Sequence, residues 1–103
     1  MEPIRSSFED DADMMEIVRE FASDAPQRAD EIEQYLQSGD LSGLQTLAHQ
    51  LKGAGGGYGF DAITETAAAL EAAIRQDAGE PAIKEASAVV CEVLRAVYVQ
   101  ELN

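Results

Sequence analysis

Apolar residues return at helical spacing along almost the whole of this 103-residue chain, and that spacing constrains the fold before any other feature is considered. Met14, Ile17, Val18 and Phe21 form an i, i+3, i+4, i+7 stripe, and Ala29, Ile32, Tyr35 and Leu36 form a second. Leu44, Leu47, Leu51, Ala54 and Tyr58 form a third, Ile63, Ala67, Leu70 and Ile74 a fourth, and Ile83, Val90, Val93, Leu94 and Val97 a fifth. One apolar stripe per segment marks a helix that buries one face. Alternation at period two is not sustained anywhere, so strand signals are nearly absent.

The breaks between stripes are short and chemically specific. The spacing predicts helices over about Glu9–Ala22, Pro26–Ser38, Leu41–Gly57, Asp61–Asp77 and Pro81–Leu102. "SDAP" separates the first two, with Pro26 suited to a first helical turn. Gly39 suits the position just past a helix end and Asp40 the N-cap of the next. Gly79 is expected to end the fourth helix before Pro81 opens the fifth. Connections of this length force neighbours to lie antiparallel. The expected fold is therefore all-α: an antiparallel up-down four-helix bundle with an additional N-terminal helix across one end. A chain of this length supports one modest core, so residues 1–103 are read as a single domain with a short flexible N-terminus over about 1–8. Met1 and the completeness of the helical pattern favour a separate small protein over a module cut from a longer one.

Twenty acidic side chains against seven basic ones give a formal net charge of -13. Phosphate backbones and anionic membrane surfaces would be repelled, which argues against nucleic acid and anionic membranes as partners. No apolar run approaches the roughly 20 residues needed to span a bilayer, and acids stand where a signal peptide carries bases. The expectation is a cytoplasmic monomer. Cys91 is the single cysteine and lies within "ASAVVCEVL", where a buried inert thiol is expected. Between Arg28 and Arg75 the only basic side chain is Lys52, three residues after the only histidine, His49.

That pair falls in "LAHQLKGAGGGYG", residues 47–59, which also holds five of the eight glycines. On a helical wheel, Leu44, Leu47, Leu51, Ala54 and Tyr58 gather opposite His49, while Ser42, Gln45, Thr46, Lys52, Gly53 and Gly56 share its side. A core role for the imidazole is thereby excluded. Each glycine inside a helix costs about 1 kcal/mol relative to alanine. Either the helix ends at Gly53, or the glycines are kept for a reason; Ala54 and Tyr58 continue the apolar stripe and favour the second. Gly53 and Gly56, at i+4 and i+7 from His49, clear the surface that larger side chains would crowd, so another protein's active site can reach the ring. Lys52 at i+3 stands on the same face. It is either a solvated charge or a cation placed to pair with a phosphoryl group carried on the ring.

"AHQLKGAGGGYG" resembles the signature of histidine-containing phosphotransfer (HPt) domains, the carriers of phosphorelays. The signature elements fall on His49, Leu51, Lys52, Gly53 and Gly59, and "SGDLSGLQTLAH" and "TAAALEAAIRQ" are similar to the family's flanking helices. The triple glycine departs from relatives, which usually carry serine or alanine there. The resemblance implies that His49 accepts a phosphoryl group on Nε2 from a receiver-domain aspartyl phosphate, or from a kinase, and passes it to a response regulator's aspartate. It implies receiver domains of response regulators and of a hybrid histidine kinase as partners. Lys52 would neutralise the phosphate. Glu71, twenty-two residues downstream on the next helix, would hold Nδ1 and fix the tautomer, the alternative being an ordinary surface acid. Gln45 and Gln50, with Gly53 and Gly56, would line the docking surface.

The chain carries no GxxxxGK[ST] loop, no protein-kinase signature and no acidic metal pocket at readable spacing. Phosphoryl transfer also needs in-line positioning and a cation on the transferring group. The expectation is a phosphocarrier and not an enzyme, with no cofactor of its own and Mg²⁺ held by the partner receiver. The competing reading is a docking module that binds response-regulator-like partners without carrying phosphate. One histidine with no CxxC or HxxxH argues against a metal site.

Overall fold

The computed structural model describes residues 4–6 and 12–98. Four helices, α1 (Ala12–Ser38), α2 (Leu41–Gly57), α3 (Asp61–Arg75) and α4 (Glu80–Ala96), follow one another. They pack in a ring in which α1 meets α2 and α4, and α3 meets the same two. Two-residue strands β1 (Ile4–Arg5) and β2 (Val97–Tyr98) pair in parallel, Ile4 against Val97 and Arg5 against Tyr98. The all-α bundle is as the periodicity predicts. No helix among the described residues is long and apolar enough to cross a membrane.

The separate N-terminal helix is a correction. Ala12–Ser38 is one helix of 27 residues with Pro26 inside it. Proline removes the hydrogen bond to the carbonyl four residues back and its ring crowds that carbonyl, at about 3 kcal/mol. Tertiary burial outweighs this cost: Val18, Ala25, Ala29 and Ile32 are all fully buried and lie on one continuous face, so breaking the helix at "SDAP" would divide that face. Pro26 itself points to solvent. Pro26→Ala is expected to restore an N–H donor and raise stability by about 1–2 kcal/mol in urea denaturation, with no change of fold. Residues 9–11 of the expected first helix, and 1–3, 7 and 8 of the expected flexible terminus, lie outside the described residues.

The helix ends follow local chemistry. Gly39 takes φ +73, and Asp40 N–H reaches Tyr35 O at 3.0 Å, closing α1 as expected. The Asp40 carboxylate then accepts from Gly43 N–H at 2.9 Å and caps α2. At the far end of α2, Gly59 takes φ +79 while Phe60 N–H reaches Gly55 O at 2.7 Å. This turn places the fully buried Phe60 under α1, where Phe21 stacks on Phe60 and on Tyr58 with centroids 5.6 Å and 4.9 Å apart.

Two boundaries differ from expectation. Helix α3 ends at Arg75, closed by Asp77 in the left-handed region at φ +51, and Gly79 instead precedes α4 as its N-cap. Helix α4 ends at Ala96, where the chain turns extended into β2, and not near Leu102; residues 99–103 lie outside the described residues. The core joins Val18, Ile32, Leu44, Phe60, Ile63, Leu70, Val90 and Leu94 from all four helices and the α2–α3 turn. Cys91 is buried in it, its Sγ 3.5 Å from Ala29 O, and burial pushes the thiol up to about 11, so it is the inert thiol expected. Arg95 ties α4 to α1 through Asp30 at 3.1 Å and Glu33 at 2.8 Å.

Candidate functional site

Helix α2 carries the histidine and α3 carries its partner. Leu44, Leu47, Ala48 and Leu51 are buried, which turns His49 outward with its side chain 65 % exposed. His49 lies eight residues before the end of α2 and Glu71 ten after the start of α3. At about 1.5 Å per residue, both stand some 12–15 Å from the α2–α3 turn, so antiparallel packing brings them level. His49 Nδ1 lies 2.8 Å from Glu71 Oε2.

Glu71 is the least ordinary residue of the site. Its side chain is only 5 % exposed, although it is charged and lies on a helix-packing face. Burial of a carboxylate disfavours the charged form unless donors surround it. Two cations and the imidazole do so: Lys52 Nζ donates to Oε1 at 2.7 Å, Arg75 lies 3.8 Å from Oε2, and His49 Nδ1 lies 2.8 Å from Oε2. The hydrogen bond from Lys52 is the strongest influence holding the Glu71 carboxyl below its ordinary value; burial opposes it, while His49, Arg75 and the Lys52 charge add to it. An ionised carboxylate can only accept, so the proton between Glu71 and His49 belongs to Nδ1. In the neutral ring the free lone pair is then on Nε2, the edge turned away from Glu71.

A consequence in solution follows from linkage. Because the folded-state pKa of Glu71 lies below 4.5, the stability it contributes is fully present above that pH and is lost as pH falls through the lower folded value. Glu71→Gln should therefore be less stable than the natural chain near neutrality, with the gap closing as the pH falls below 4.5 and the carboxylate takes up its proton. Urea denaturation at stepped pH measures it, and a gap that persists in acid contradicts the pairing.

The glycines divide by task. A Cβ on Gly53 or Gly57 would meet nothing within 4 Å, and one on Gly56 only the Thr64 hydroxyl at 3.6 Å. Gly53 and Gly56 are exposed beside His49, as the wheel predicts. Gly55 is different: a Cβ there would meet Thr64 Oγ1 at 2.6 Å, Thr64 N at 2.7 Å and Ile63 Cβ at 3.0 Å. It lets α3 approach α2, and Thr64 Oγ1 donates to Lys52 O at 2.9 Å across the contact. The helix continues to Gly57 and does not stop at Gly53.

Gln50 is exposed and lines a shallow groove of about 230 Å³ between α1 and α2 with Ile17, Phe21, Leu47 and Tyr58. Gln45 is half-buried one turn before His49. A larger groove of about 560 Å³ lies between α1 and α4, lined by Leu36, Ser87, Cys91 and Arg95, and includes none of the residues around His49. Sequence reasoning missed Gly55, Thr64 and Arg75. Of these, only Arg75 left a readable signal, its i+4 spacing from Glu71 on the same helix.

Fold and site together give a helical bundle that presents an exposed imidazole, hydrogen-bonded to a buried carboxylate, beside exposed glycines. The Hpt domain profile matches residues 16–101, and the chain belongs to the Hpt domain family. Hpt domains are phosphocarrier modules of two-component signalling that work with receiver domains. No curated protein and no solved structure matches the chain.

Proposed function

We propose that this chain is a phosphorelay intermediate that carries a phosphoryl group on His49 Nε2. The observation that carries the reading is the contrast within one ring: Nδ1 lies 2.8 Å from the buried carboxylate of Glu71, while the side chain is 65 % exposed. A nucleophile held in one tautomer and open to a second protein suits transfer between macromolecules.

The chemistry balances with the His49 imidazole as the reacting group of this chain. The Nε2 lone pair forms the N–P bond as the P–O bond of a receiver's aspartyl phosphate breaks and its carboxylate is released. The Nδ1 proton stays on the ring, shared with Glu71. Onward transfer reverses the step: a second receiver's aspartate attacks phosphorus and the electron pair returns to Nε2. Mg²⁺ on the receiver would supply the charge compensation that phosphoryl transfer requires. Lys52 would add a cation from this side, and Gly53, Gly56, Gln45 and Gln50 would form the floor on which the receiver sits. The donor would be a hybrid histidine kinase's receiver domain and the acceptor a response regulator, met by this chain as a monomer in the cytoplasm.

Incubation with a receiver domain carrying a radiolabelled aspartyl phosphate and Mg²⁺ tests the reading. The expected result is label on this chain that is lost in acid and kept in base, as an N–P bond requires. Absence of label contradicts it and leaves docking without phosphate as the function; label that survives acid contradicts it by placing the phosphoryl group on an oxygen and not on the ring.

A further inference from the structure

Lys52 has two competing duties. In the unphosphorylated chain its ammonium lies 2.7 Å from Glu71 Oε1. A phosphoryl group on Nε2 would sit on the opposite flank of the imidazole from Nδ1, the flank that faces away from Glu71. A compact ammonium on a flexible stem can serve that group only by turning from the carboxylate. Glu71 is 5 % exposed, so water cannot replace the lost donor, and a buried carboxylate stripped of a partner is strongly unfavourable. The swing of Lys52 therefore needs a second cation at the same carboxylate.

We propose that Arg75 is that cation: a positioning residue that closes on Glu71 when Lys52 moves to a phosphoryl group on His49. The inference rests on the phosphocarrier reading of His49. Arg75 lies one turn beyond Glu71 on α3, 3.8 Å from Oε2, with its side chain 62 % exposed. It is near enough to attract the carboxylate and too far for a tight hydrogen bond, and its exposure leaves it free to move. The order of acid before base at i, i+4 is the favourable one on a helix. Its planar fork of donors matches the two carboxylate oxygens in a fixed geometry, which an ammonium lacks. The distribution of charge makes the placement unusual. Only seven basic side chains face twenty acids, yet two of the seven, Lys52 and Arg75, converge on one carboxylate. Of the other bases, Arg28, Lys84 and Arg95 each pair with acids elsewhere on the bundle. The exchange keeps Glu71 ionised and Nδ1 protonated through the carrier cycle.

Chemical phosphorylation tests this apart from any receiver. Phosphoramidate transfers its phosphoryl group to an imidazole with loss of ammonia, so His49 can be loaded in the full chain whether or not a relay partner recognises it. The readout is the protonation midpoint of the phosphoryl oxygens, followed by ³¹P NMR across pH; an ammonium on those oxygens lowers it. Lys52→Ala should raise the midpoint by about half to one pH unit. Arg75→Ala should raise it by a similar amount, because Lys52 then stays on Glu71. The double variant should go no further than either single one, and Arg75→Lys should titrate close to the natural chain. An Arg75→Ala midpoint equal to the natural one, or effects that add in the double variant, overturns the exchange. Failure of transfer from receivers would instead count against the phosphocarrier reading and would not alter these titrations.

Discussion

Replacing His49 with Gln should abolish phosphoryl uptake while leaving the bundle intact. The glutamine amide N–H can still donate a hydrogen bond to Glu71, but the side chain has no lone pair able to attack phosphorus. Loss of a sole nucleophile lowers transfer by at least about 10³-fold, in practice to background in a gel assay. Folding should barely respond. The side chain is 65 % exposed and Lys52 remains on Glu71, so the change in stability should stay within about 0.5 kcal/mol. Parallel measurement of label and of urea midpoint separates the two effects. Undiminished label in a folded His49→Gln chain would place the phosphoryl group elsewhere.

The second large effect comes from one substitution made at two glycines two residues apart. Gly55→Leu should destabilise the chain by on the order of 3 kcal/mol or more, because the first added carbon already falls 2.6–3.0 Å from Thr64 and Ile63. Against a total of roughly 5–15 kcal/mol for a domain, much of the margin is lost. Gly53→Leu should do the reverse. Its Cβ meets nothing within 4 Å, and leucine relieves a helical glycine of about 1 kcal/mol, so stability holds or rises. Transfer from a receiver should nevertheless slow by about tenfold or more, since the leucine stands one turn beyond His49 on the surface the receiver must cover. Equal stability of the two variants would refute the packing role of Gly55, and normal transfer by Gly53→Leu would refute the access argument.

These two glycines show where sequence reading stops. The wheel separates the buried face of α2 from the exposed one because a single helix has a fixed period. It therefore turns His49 outward and places Lys52, Gly53 and Gly56 beside it correctly. It assigns no partner on a second helix, so nothing in the period says that Gly55 is where α3 comes closest. Lys52 shows the same limit: its spacing gives the shared face with His49, but not that its ammonium lies on Glu71, nineteen residues away.

The helix boundaries were legible where one local signal acts alone. Gly39 and Asp40 close and open their helices as their chemistry dictates. They were misread where tertiary packing opposes the signal. "SDAP" carries several break residues, yet the buried face through Val18, Ala25 and Ile32 keeps α1 whole. Asp77 supplies the left-handed residue after α3, a task that a reader gives to the nearby Gly79 because glycine adopts it without strain.

The central claim is about a single atom, and the location of the N–P bond tests it directly. With the imidazole of His49 labelled in ¹⁵N, the phosphorylated chain can be examined for which ring nitrogen couples to phosphorus. The account predicts coupling to Nε2, with Nδ1 still protonated and hydrogen-bonded to Glu71. Coupling to Nδ1 would mean that the ring must leave the buried carboxylate to react, and would contradict it.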